Sequence, residues 1–192
     1  MLPDNEAQGR LGALGSPSLH EHKRDAGHGR AGARANHWME QAIATARAGI
    51  AAGQSPFGAV IVAQEVAQGR VVAASHNQVW ATLDPTAHAE VGAIRLAAAK
   101  RQNIDLSGCV IYSTCEPCPM CVAAIHWARI DAVVYGASIA DAAAAGFNEL
   151  RVPAQTLIEQ GGSRVRLEGG CLAEVCRGLF DEWRAAERGR AY

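Results

Sequence analysis

The sequence has no surplus of charge of either sign: 18 basic residues stand against 19 acidic ones in 192 positions, for a net charge of −1. A protein that grips nucleic acid through its phosphates carries a strong basic excess, so the balance argues against a nucleic-acid partner. There is no apolar run near the about 20 residues that a bilayer-spanning helix needs, which argues against a membrane role. The first ten residues hold Asp4, Glu6 and Arg10, and no apolar stretch follows them, so no secretory signal is expected. The six cysteines (109, 115, 118, 121, 171 and 176) lack the spread of a disulfide framework. Three of them crowd into residues 115–121, and in a chain of this size that points to metal binding in a reducing cytoplasm.

Residues 1–36 also lack apolar periodicity, and they are read as a disordered tail. The histidines there, His20, His22 and His28, are discounted as metal ligands, because a floppy segment pays ordering entropy to bind. From residue 37 the pattern becomes regular. Trp38, Ile43, Ala46 and Ile50 recur at helical spacing up to Gly53. Gly58–Ala63 and Val71–Ser75 read as two strands of a hairpin turning at 64–69, and a helix capped by Thr86 runs to about Arg101. Beyond it come a strand Cys109–Ser113, a helix Cys118–Ala128 and a strand Ala132–Ala137. A loop over 138–150, a short helix Gln155–Gln160, a strand Arg164–Leu167 and a closing helix Leu172–Arg188 complete the chain. A hairpin followed by β-α alternation predicts one domain over 37–192, a three-layer α/β/α fold around a mixed five-stranded sheet.

The chemistry concentrates in two short motifs, His88-Ala89-Glu90 and Pro117-Cys118-Pro119-Met120-Cys121. Two cysteines three apart at a helix start place both sulfurs at the positive end of the helix dipole, which favours the thiolate that binds metal. Pro117 suits such a start. His88 is expected in the first turn of the preceding helix, so two helix N-termini would supply one nitrogen and two sulfurs. Three protein ligands leave one tetrahedral position open, the mark of a catalytic rather than a structural zinc. Glu90, two residues past the histidine, is then placed to move protons. The spacing Cys115-x-x-Cys118-x-x-Cys121 leaves a second arrangement open, a structural zinc with Cys115 as fourth ligand.

The two motifs in this order match the H-x-E and P-C-x-x-C signature of zinc-dependent nucleobase deaminases. Over residues 38–192 the chain resembles the cytidine and deoxycytidylate deaminase superfamily, most of all its bacterial guanine deaminases and next its tRNA adenosine deaminases. Asp84-Pro85-Thr86-Ala87-His88-Ala89-Glu90 occurs in both groups. Ser55-Pro56-Phe57-Gly58-Ala59, the run from Ala128-Arg129 through Gly146-Phe147-Asn148-Glu149, and the aromatic C-terminus Trp183 to Tyr192 are similar to guanine deaminase. The segment Leu150–Cys176 is more similar to the tRNA enzymes.

The resemblance implies a cytidine deaminase-like fold, one Zn2+ per subunit on His88, Cys118 and Cys121, and Glu90 as the catalytic proton carrier. It implies that Asn77 bonds a purine, that Phe57 and Trp127 line the ring, and that backbone N–H groups near Cys118 and Ala89 seat substrate. Glu149 would face the guanine edge, whose N1–H and 2-amino donors a carboxylate accepts together. Tyr192 would contribute as part of a C-terminal lid. The resemblance further implies a cytoplasmic homodimer that acts on a small purine. Guanine to xanthine is the expected reaction; tRNA adenosine, guanosine and cytosine deamination, and a zinc-binding module without catalysis, are the alternatives. His126 and the arginines of the last helix (Arg177, Arg184, Arg188, Arg190) are read as ordinary surface residues.

Overall fold

Helix α1 covers Asp25–Ala51, and its buried positions Trp38, Met39, Ala42, Ile43, Ala46 and Ile50 fall on one face at helical spacing. The computed structural model describes residues 25–64, 69–186 and 190–191. Within them the chain runs β1 (Gly58–Ala63), β2 (Arg70–His76), α2 (Val79–Thr82), α3 (Ala89–Arg101) and β3 (Cys109–Cys115). It continues through α4 (Pro119–Trp127), β4 (Ala132–Ala137), α5 (Ile139–Ala144), α6 (Ala154–Gln160), β5 (Arg166–Glu168) and α7 (Ala173–Ala185).

The five strands form one sheet in the order β2-β1-β3-β4-β5. The β1 strand pairs antiparallel with β2 and with β3, whereas β3-β4 and β4-β5 are parallel, so the sheet is mixed as expected. The central β1 and β3 are buried along their whole length, which suits their apolar, β-branched composition. At the β2 edge, Lys100 of α3 donates to the Val72 carbonyl at 3.1 Å.

Two cores lie on opposite faces of this sheet. Residues of α1 and α7, including Ile43, Leu179 and Trp183, cover Val60, Val62, Val110 and Val134. The helices α3, α4 and α6 bring Ala93, Ile125 and Ile158 onto Ile61, Ile111 and Val133. The alternation of strand side chains between the faces produces the three-layer α/β/α arrangement. At Gly58 the α1 layer comes so near that an added Cβ would stand 2.4 Å from the Ala42 carbonyl oxygen.

Several boundaries differ from the sequence reading. Helix α1 starts at Asp25, so residues 25–36 are helical rather than part of a tail. The stretch mixes four alanines with Gly27, Gly29 and Gly32, so it is helical as an extension of the helix already nucleated by the packed residues after 37 rather than through its own propensity. His20, His22 and the rest of residues 1–24 lie outside the described residues. The stretch read as a loop over 138–150 contains α5, built on a capping box between Ser138 and Asp141. Thr86 does not cap α3: Asp84 accepts from its backbone N–H and its hydroxyl, and His88 is the N-cap. At α4 the proline inside the helix start is Pro119, not Pro117, and Cys118 is the N-cap.

Candidate active site

The site forms at the end of the sheet where β3 and β4 finish. Because β1 runs antiparallel to β3, its start lies at that same end: Ala59 is opposite Ser113 and Gly58 opposite His76. Phe57 and Asn77, flanking that pairing, therefore arrive beside the Glu116–Cys118 turn that follows β3. The N-termini of α3 and α4 meet there, as do the residues after β4. Carboxyl ends of parallel strands are where open α/β sheets commonly bind ligands. A cleft at this point is lined by Phe57, Asn77, His88, Glu90, Cys115, Glu116, Cys118 and Glu149.

His88, Cys118 and Cys121 converge, with their ligand atoms all within 4.8 Å of one another. His88 Nδ1 stands 3.6 Å from the sulfur of Cys118 and 3.6 Å from that of Cys121. A tetrahedral zinc with Zn–S near 2.3 Å and Zn–N near 2.0–2.1 Å has N–S edges of about 3.6 Å, so this donor set fits the ion. The Cys118 thiol is drawn down to about 4 by its hydrogen bonds with Cys121 and His88, against the opposing effect of burial. Burial disfavours the cationic form of His88, but its bond with Cys118 and the nearby charge of Glu90 outweigh that and raise its pKa.

Cys115 does not join this group. Its thiol points to the Ser138 carbonyl at 3.5 Å, and burial pushes its pKa well above the ordinary value, away from the ligating thiolate. The four-ligand structural arrangement that the cysteine spacing left open is therefore not formed.

Glu90 sits in the first turn of α3, buried, where Ser113 Oγ donates to its Oε1 at 3.2 Å. Burial raises its pKa, with the charge of His88 opposing. A buried carboxyl held beside the three ligand side chains is placed to accept and return protons. Asn77 is almost wholly buried, and its Oδ1 accepts from the Val79 N–H at 3.1 Å, which fixes the orientation of the amide. Glu149 reaches the cleft from the segment after α5, and burial raises its pKa, with the Cys118 thiolate adding to the effect. Phe57 meets Phe147 edge to face with ring centroids 4.8 Å apart.

The structure does not bring every expected residue here. Trp127 is the last residue of α4, 78% exposed and packed against His126 rather than facing the cleft. The helix starts at the ligands and ends at Trp127, so its own length carries the indole away. Ala89 is expected through its backbone N–H only: its side chain is packed in the core, while its backbone lies at the start of α3 between His88 and Glu90. Tyr192 lies outside the described residues. Arg190 is not simply solvated: its carbonyl accepts from Trp80 Nε1 at 2.7 Å, and its guanidinium stands 5.7 Å from the centre of the Trp80 ring. Sequence reasoning missed Ser113 and Glu116, whose roles depend on contacts with distant segments and leave no local periodicity.

The zinc-binding region of the cytidine and deoxycytidylate deaminases matches residues 33–137. The chain belongs to this family. Among relatives of the deaminase, the guanine deaminase of Bacillus subtilis (strain 168) is 47% identical over 113 residues, 58% of this chain and 70% of that one. A tRNA-specific adenosine deaminase of Agrobacterium fabrum is 43% identical over 105 residues, covering 55% of this chain and 66% of its own length. The solved guanine deaminase of Nitrosomonas europaea superposes with a TM-score of 0.71 at 29% identity, over 78% of this chain and 84% of that one. The protein is thus a zinc-dependent deaminase with a cytidine deaminase-like fold. No helix among the described residues is long and apolar enough to cross a membrane.

Proposed function

We propose that the deaminase converts guanine and water to xanthine and ammonia. The observation that carries this reading is the placement of Glu149 in the same cleft as Asn77, Glu90 and the His88–Cys118 pair. A carboxylate that shares the cleft with the amide of Asn77 complements guanine, whose N1–H and 2-amino group are adjacent donors that one carboxylate accepts together. Adenine presents no such donor pair. The guanine deaminase relatives support the same choice.

His88, Cys118 and Cys121 would hold the ion. When bound, zinc supplies a Lewis acid that lowers the pKa of water toward about 7. The chain's own residues do the rest. Glu90 takes the proton of the attacking water and gives it to the ring nitrogen beside C2. Oxygen bonds to C2, giving a tetrahedral carbon. Glu90 then carries the second proton to the 2-amino group, the C–N bond breaks, and ammonia leaves. Glu149 and Asn77 orient the base, and Phe57 offers its ring to the purine face. The backbone N–H groups at Ala89 and Cys118 belong to the same seat. We take the small purine as the substrate and the homodimer as the assembly, in the cytoplasm.

The test is ammonia release from purified zinc-loaded protein offered guanine, guanosine, adenine, cytosine and a tRNA anticodon stem-loop. Guanine is expected to be turned over with the highest kcat/KM. Release from the stem-loop alone would overturn the proposal.

A further inference from the structure

The mechanism above makes no use of Glu116, a carboxylate in the cleft wall just before the cysteine motif. Its two oxygens are committed to backbone amides far along the chain. Oε2 accepts from the Ile139 N–H at 3.1 Å and Oε1 from the Ala154 N–H at 2.9 Å. These are the first residues of α5 and of α6. One carboxylate thus serves as capping acceptor for two helix N-termini, where orphan N–H groups and positive dipole ends favour an anion.

Neither amide has an equivalent acceptor nearby in sequence. The N-cap of α6 is Pro153, which makes no capping side-chain bond. The capping box of α5 uses the amides of Asp141 and Ser138 and leaves that of Ile139 to Glu116. Between the two helices, residues 147–153 form no helix or strand. That stretch carries Glu149, whose amide makes only a short turn onto the Phe147 carbonyl at 3.0 Å. Its position therefore depends on the ends, held by Glu116, on the Val152 amide turning onto the Leu150 carbonyl, and on Phe147, whose amide donates to the Ala142 carbonyl at 3.2 Å and whose ring packs against Phe57, Phe180 and Trp183. The backbone of Glu116 is itself fixed, donating to the Ala137 carbonyl at the end of β4 at 2.8 Å.

We propose that Glu116 is a positioning residue for base selection: by stapling both ends of the 139–154 segment beside the Cys118 turn, it sets where Glu149 stands in the cleft. The proposal rests on Glu149 being the group that faces the base. It gives Glu116 no proton to carry and no contact with substrate. Glutamine at this site is nearly isosteric, but it replaces one acceptor with an NH2 donor and turns it toward an amide N–H. One of the two bonds must then break.

Two measurements test this on the zinc-loaded full chain. In hydrogen exchange, E116Q is expected to exchange about tenfold faster or more across 139–154, with α1 and α4 unchanged and zinc stoichiometry kept. In kinetics on guanine, E116Q should lose about ten- to hundredfold in kcat/KM, mainly through KM, in the wild-type background. In an E149Q background the same change should cost less than about threefold further, because the residue it positions is already altered. Equal losses in both backgrounds, unchanged exchange over 139–154, or loss of zinc would each overturn the proposal. E116D keeps the charge but is one methylene too short to span both amides, and it is read by the same measurements if E116Q does not fold. If the wild-type chain releases no ammonia from guanine, the reading of the substrate falls. The exchange result then decides on Glu116 independently, and the cycle is run on the base that is turned over.

Discussion

The Ser113 hydroxyl, on β3, donates to the Glu90 carboxylate, on α3, at 3.2 Å inside the protein. The bond ties the carboxylate that the proposed mechanism uses as its proton carrier to a strand buried along its whole length, and it fixes the aim of that carboxylate. Glu90→Gln keeps the shape but cannot carry a proton, so turnover is expected to fall by about 10²–10⁴-fold with zinc content unchanged. Ser113→Ala should cost about tenfold or less, since the carboxylate stays and only its aim loosens. Steady-state kinetics with metal analysis of each variant check this. A Glu90→Gln enzyme within threefold of wild type would remove Glu90 from the mechanism.

Removing zinc with a chelator should abolish turnover and expose one thiol above the rest. Cys118 is partly exposed and its thiol lies near 4, whereas Cys115 and Cys176 are buried and shifted upward. The thiolate is the reactive form. Alkylation at neutral pH followed by mass spectrometry is expected to mark Cys118 first, and zinc to protect it. Preferential marking of Cys171 would contradict that order.

Gly58 is the point where α1 rests on the sheet. A methyl group there would stand 2.4 Å from the Ala42 oxygen and 2.6 Å from the Ala46 nitrogen, both backbone atoms of a helix that cannot move alone. Gly58→Ala is expected to destabilise the fold by about 1–3 kcal/mol, read from denaturant unfolding. A variant as stable as wild type would show that the helix gives way freely.

Arg47 and Glu182 join α1 to α7 through a two-pronged ion pair, with Arg47 Nε 2.9 Å from Oε2 and a second nitrogen 2.7 Å from Oε1. The guanidinium holds Glu182 below its ordinary value of 4.5. A carboxylate depressed in the folded state stabilises above its unfolded pKa and loses that contribution as pH falls through the folded value. Both side chains are about half exposed, so the pair contributes only about 0.2–1 kcal/mol. The stability gap between wild type and Glu182→Gln should be present at pH 7 and close below the ordinary carboxylate range. A gap that persists in acid would assign the effect to packing.

Motif and periodicity carried the reading furthest where the chemistry is local. The strands Gly58–Ala63 and Ala132–Ala137 are bounded as their apolar runs indicate, and His88, Cys118 and Cys121 meet as their helix-start spacing requires. Trp127, expected at the ring from the resemblance alone, stands exposed at the far end of α4, because a resemblance carries over a residue type and not how far this helix has carried it from the ligands. The α5 helix lies in an alanine- and glycine-rich stretch whose composition reads as loop, and the capping box from Ser138 to Asp141 is the one local signal of its start. Glu116 was invisible for a different reason. Its two partners lie 23 and 38 residues downstream, and no pattern in the chain records them.

The 3.6 Å separations from His88 Nδ1 to both sulfurs have one more consequence, for the choice among metals. The donors are borne by N-cap and first-turn positions of two helices seated on one sheet, so their spacing is set by the fold before any ion arrives. Soft thiolates already disfavour magnesium and calcium. Copper(II) and nickel(II) gain most from square-planar or tetragonal surroundings, and to take them here two packed helices would have to separate. The scaffold thus offsets part of the intrinsic advantage that copper holds over zinc at nitrogen and sulfur donors.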